Sequence, residues 1–159
     1  MCMKNININT LTFTKPNKDF SCIQIFDRVV PEIHKENLVL RDFNVLIMTS
    51  VVLPNNPVSE DPNKCIVKDN SYDVLIRLNH VHTGKGFDLG QYSFRIDENT
   101  LNDVCRPIYE TKKIISVPDL EFPLGAGLYA IKVCIKNSKD TDGTWYIQSI
   151  QTFNVVYNA

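Results

Sequence analysis

Three short stretches of this sequence carry side chains whose types and spacing suit chemistry. They are NHVHTGKG around His80 and His82, FPLGAGLYAIKV around Gly125 and Gly127, and KDTDGTW around Asp140, Asp142 and Gly143. Two histidines two residues apart share one face of a strand, as a metal site of the cupin type requires. Such a site also wants a glutamate three or four residues on and another histidine on a later strand. Lys85 and Gly86 stand there instead, and the remaining histidine, His34, is far off in sequence. The stretch therefore reads as polar residues closing a strand before a glycine-rich turn. His80 and His82 are kept as metal candidates, and no metal, cofactor or catalytic residue is assigned.

Glycines that cradle a phosphate follow a strand and open a helix, so that backbone N–H groups and the helix dipole face the anion. Here Gly125 and Gly127 precede an alternating segment: Tyr129, Ile131, Val133 and Ile135 fall on one face, Lys132 and Lys136 on the other. The lysine and hydroxyl residue of a phosphate loop are also missing. This is a turn before a strand, with Tyr129 a core residue.

Asp140, Asp142 and Gly143 make a fragment of a calcium loop without its closing glutamate. Asp-Gly between strands is a strong hairpin signal, and the hairpin reading is preferred. The five cysteines, Cys2, Cys22, Cys65, Cys105 and Cys134, are widely spaced and form no CxxC pair. They predict reduced thiols, several of them packed as small hydrophobes, in a cytoplasmic protein. No Ser-His-Asp or Cys-His arrangement stands out.

The elements that must position these residues are strands. Of 159 residues, 43% are hydrophobic and 22% charged, which suits one globular domain over residues 1–159 and excludes a disordered chain. A net charge of -1 gives no basic excess for nucleic acid or an anionic membrane. No apolar run approaches a membrane span. Period-2 alternation predicts strands near 5–13, 20–26, 38–53, 72–82, 90–97, 111–117, 127–136 and 144–156. The last changes phase between Ile147 and Ile150, as a bulge would require. FNVLIMTSVVL is apolar on both faces, which suits a central strand.

Helix signals are few. DENTLNDVCRPIYE holds at most one short turn, capped by Asp97 or Asn99 and stopped by Pro107. LPNNPVSEDPNKC, with three prolines, reads as an exposed loop. GQYSFRI (90–96) echoes GLYAIKV (127–133), as two strands would if each were entered at a glycine and each buried a tyrosine. Such a pattern suits a sandwich or a barrel, and the sandwich is preferred: an all-β antiparallel sandwich of about eight strands with at most one short helix.

The order PDLEFPLGAGLYAIKVCIKN, a polar hairpin, then WYIQSIQTFNVV resembles the closing strand pair of immunoglobulin-like modules. These modules carry an apolar-x-Gly-x-Tyr entrance and a final strand ending in apolar-x-Val. The likeness covers residues 72–156 and extends to small stand-alone bacterial β-sandwich proteins. Antibody domains pair two cysteines around a tryptophan, whereas here Trp145 follows Cys134 near the end, so the resemblance implies an immunoglobulin-like fold without an antibody-type core.

Sandwiches expose edge strands and end loops, and those surfaces commonly recognise proteins. The expected function is a non-enzymatic, protein-binding module that engages neither nucleic acid nor membrane. One alternative is a structural or assembly subunit, phage-derived or homo-oligomeric. The other is a small metal-dependent enzyme using His80 and His82.

Overall fold

A computed structural model describes residues 3–14, 28–29, 32–34, 37–55, 59–100 and 108–156. The predicted strand near 20–26, and Cys2, Cys22, Cys105 and Pro107, lie outside them. Strands run β1 (Ile6–Thr14), β2 (Arg28–Val29), β3 (Glu32–His34), β4 (Asn37–Val52), β5 (Ser71–His80), β6 (Gly86–Arg95), β7 (Ile108–Phe122), β8 (Gly127–Asn137) and β9 (Tyr146–Val155). The helical turn among the described residues is the 3-10 turn Glu98–Thr100. Asp97 caps it by accepting the Asn99 N–H at 3.0 Å.

The strands form two sheets, as a β-sandwich requires. In the first, β4 is central: β7 pairs along one side, while β1 and the short β3 share the other end to end. The second runs β2-β9-β8-β5-β6, antiparallel except for the two-residue parallel contact of β2 with β9. Inward residues of both sheets, led by Tyr72, Tyr129, Phe43, Phe122 and Phe153, make one core. No helix among the described residues is long and apolar enough to cross a membrane.

The core is apolar along β4, β5 and β8 and polar at its β1–β9 border. There Thr10 faces Ser149 at 3.5 Å, and Gln151 donates to Thr12 at 3.3 Å. On the opposite border, Phe94 of β6 stacks on Tyr109 of β7 with centroids 5.2 Å apart. Lys113 lies over the Tyr92 ring, and Gly90 of β6 abuts Ile115 of β7.

Two strands depart from simple alternation for local reasons. In β4, residues 43, 45, 47, 49 and 51 face the core, yet so do Leu38 and, partly, Leu40. The phase flips at Asp42, whose φ of 53° puts it in the left-handed region, opposite Pro118, which has no N–H to give the ladder. β7 flips with it, from Val117 to Leu120 and Phe122. In β9 the register shifts so that Ser149 pairs Val133 while Ile147 pairs Cys134, leaving Gln148 extra. This is the bulge expected between Ile147 and Ile150.

Both edge strands of the Phe94–Tyr109 border are longer than their periodicity implies. β6 begins at Gly86 rather than near 90, because a bulge that leaves Leu89 unpaired breaks the alternation. β7 runs on through Pro118 to Phe122 rather than stopping near 117.

Candidate functional site

His80 ends β5, while His82 sits in the following turn, so the two do not share a strand face. Their ring centroids are 6.1 Å apart. His80 is buried edge-on against Tyr129, and its Nδ1 lies 3.0 Å from the Thr83 hydroxyl. His34 lies on β3 in the other sheet. No group of three His, Cys, Asp or Glu side chains able to hold a metal occurs among the described residues. His80 is thus a packing residue of a corner, which the strand-end reading did not anticipate.

The glycine pair explains that corner. Gly125 has φ 79° and Gly127 φ 146°, both in the region that favours glycine. A Cβ at Gly127 would come within 2.7 Å of His80 Nε2. The Tyr129 hydroxyl donates to the Gly125 carbonyl at 2.8 Å, four residues upstream. These glycines bend the chain from β7 into β8 and face a histidine and a tyrosine. The echo at 90–96 is partial: Tyr92 also points inward, but Gly90 lies inside β6 with Ile115 packed on it and opens no strand.

The aspartates of the 138–145 loop serve its own backbone. Asp140 accepts the Asp142 N–H at 3.2 Å and Asp142 the Thr144 N–H at 2.8 Å, with Gly143 at φ 75°. The Thr144 amide is the main reason the Asp142 carboxyl titrates below its usual range. Cys65 and Cys134 are buried free thiols, and burial is the main force raising both above the usual range.

The feature the sequence reading missed lies between the two extended strand ends. Past Gly90 and Ile115, a groove of about 350 Å³ is lined by residues of β6 and of the last part of β7. Phe87, Leu89, Val117 and Leu120 supply its apolar lining; Asp88, Asp119 and Glu121 supply three carboxylates. Both causes are already visible in the strands. The β6 bulge adds Leu89, and the Asp42–Pro118 kink swings the last residues of β7. Asp88 meets Arg77 at 3.1 Å and Asp119 meets Arg41 at 3.0 Å, whereas Glu121 has no ion pair among the described residues. GFDLG falls in the glycine-rich turn of the sequence reading and PDLEF follows the predicted end of the strand near 117; these interruptions of period 2 are the only signal the sequence offers.

A second, larger depression, about 660 Å³, lies on the outer face of the β1-β4-β7 sheet. Asn7, Asn9, Met48, Ser50 and Lys112 are among the residues lining it. The lining combines amides, hydroxyls, a thioether, a carboxylate and an ammonium with no convergence on one ligand chemistry. Comparison of the chain with family models, with curated proteins and with solved structures gives no match.

Proposed function

We propose that this chain is an immunoglobulin-like, non-enzymatic module that binds an extended segment of a partner protein along the β6–β7 side of the sandwich. Strand order supports the immunoglobulin-like reading. Lettered as in those domains, β9-β8-β5-β6 follows G-F-C-C′ and β1-β4-β7 follows A-B-E. The Tyr129–Gly125 bond sits at the E–F corner, where such domains carry a tyrosine tied back to upstream backbone. Cytoplasmic placement rests on Cys65 and Cys134, buried without a disulfide.

The observation that carries the binding role is the border itself. Among the described residues β6 pairs only with β5 and β7 only with β4, where a D strand would otherwise cover β7. Two such edges with an apolar groove between them are built to receive a strand. Affinity capture from expressing cells, with wild type and Leu89→Arg in parallel, tests this. Leu89 is half-buried at the groove, so the variant should fold, as its circular dichroism would verify. A captured protein that Leu89→Arg loses supports the reading; capture indifferent to the variant defeats it. Self-association that rises with concentration and vanishes in Leu89→Arg would favour the assembly-subunit reading.

A further inference from the structure

The chemistry of the partner segment can be read from the groove, given the binding-module reading above. We infer that the groove takes an extended segment alternating apolar with Lys or Arg residues, laid along β6 with its apolar side chains between β6 and β7. Three features of the site select this ligand.

The first is charge. All three ionisable groups lining the groove are carboxylates, and no cation lines it. Asp88 and Asp119 are each already paired, with Arg77 and Arg41, so among the described residues the exposed Glu121 carries the groove's uncompensated charge. A lysine or arginine arriving at Glu121 meets an opposite charge, whereas an acidic segment is repelled there.

The second is size and floor. A cavity of about 350 Å³ is at the small end of ligand sites, which span ~300–1,000 Å³. Phe87, Leu89 and Val117 offer an apolar surface for side chains.

The third is the choice of edge. β7 defends itself, because Pro118 interrupts its donors. β6 has no proline over its ten residues, and its own basic residue, Arg95, lies at the end away from the groove. The incoming backbone therefore pairs with β6, while its cations gather at the Asp88–Asp119–Glu121 end.

An unbiased display library of ten-residue peptides, selected on the full chain, tests the inference. The selected peptides are then titrated against wild type, Leu89→Arg and Glu121→Lys, at low and high salt, and as backbone N-methylated versions. Enrichment in alternating apolar and basic residues is expected. Glu121→Lys should weaken binding about fivefold or more, as should added salt, and N-methylation on the face pairing β6 should abolish it. Peptides that lose binding in Leu89→Arg yet carry no basic bias and ignore Glu121→Lys would overturn the inference while leaving the binding-module reading intact. Peptides indifferent to Leu89→Arg, or no binders at all, would overturn both.

Discussion

At the level of single residues, the corner at the start of β8 concentrates stability. Tyr129 is fully buried, stacks on Phe153, meets Phe122 and His80 edge-on and donates to the Gly125 carbonyl. Truncating such a ring costs about 3–5 kcal/mol, against a total stability of about 5–15 kcal/mol. Tyr129→Ala should therefore unfold or badly weaken the protein. Tyr129→Phe keeps the ring and should cost about 1 kcal/mol in urea denaturation. Gly127→Ala meets both an unfavourable φ and the His80 ring, so a loss of about 1 kcal/mol or more is expected. Pairing it with His80→Ala should recover the steric part; an additive double mutant would show that φ alone matters. His82, exposed in the turn, should tolerate Asn within about 0.5 kcal/mol, whereas the same change at buried His80 should cost more.

Tyr72 and Tyr92 share a different dependence. Burial pushes both hydroxyls up to about 12, and the Val67 amide, which donates to the Tyr72 oxygen, pulls that one part of the way back. Their neutral forms are favoured by folding, so the associated stability is present below pH 10 and drains away as pH rises from about 10 to about 12. Urea midpoints measured between pH 9 and 12 should fall across that window, and less steeply in Tyr72→Phe. A flat profile would contradict the burial of these hydroxyls.

Single elements owe their usefulness to interruptions. Asp42 tolerates a positive φ that a β-branched residue does not, and its carbonyl accepts the Asn44 amide at 2.7 Å while Asn44 accepts the Ser116 hydroxyl at 2.6 Å. Asp42→Gly should be near neutral. Asp42→Val should cost about 1–2 kcal/mol and loosen the far ends of β4 and β7, which hydrogen exchange would register at Leu38 and Leu120 before Val45 and Ile47. Uniform loss of protection would show that the kink does not separate the strand halves. The periodicity of β4 and β8 made them legible, because regular alternation over many residues has one reading. β6 and β7 were cut short for the opposite reason: a bulge and a proline break alternation without ending a strand, and only pairing with β5 and β4 shows that the ladder continues. The short β2 and β3 carry too few residues for any period.

For the molecule as a whole, the sequence by itself determined the class of fold. Alternating segments punctuated by Asn, Asp, Pro and Gly bury their apolar faces in a sandwich or a barrel, so an all-β fold follows from local pattern, while the pairing into two sheets is read from the tertiary structure. It also disposed of the phosphate reading, because the order of glycine and strand is a property of the chain. Residue-level burial was only half available: Tyr129 is a core residue as its alternation implied, but His80 looked like a strand-end polar group until Gly127 was seen to leave it a place inside. What only the tertiary structure decided is which strand edges lie unpaired among the described residues and what lies between them. The groove of Phe87, Leu89, Val117 and the three carboxylates joins residues about thirty apart in sequence, on strands from different sheets. No local period records that juxtaposition, because it arises from two independent irregularities brought level by the packing of one sheet on the other.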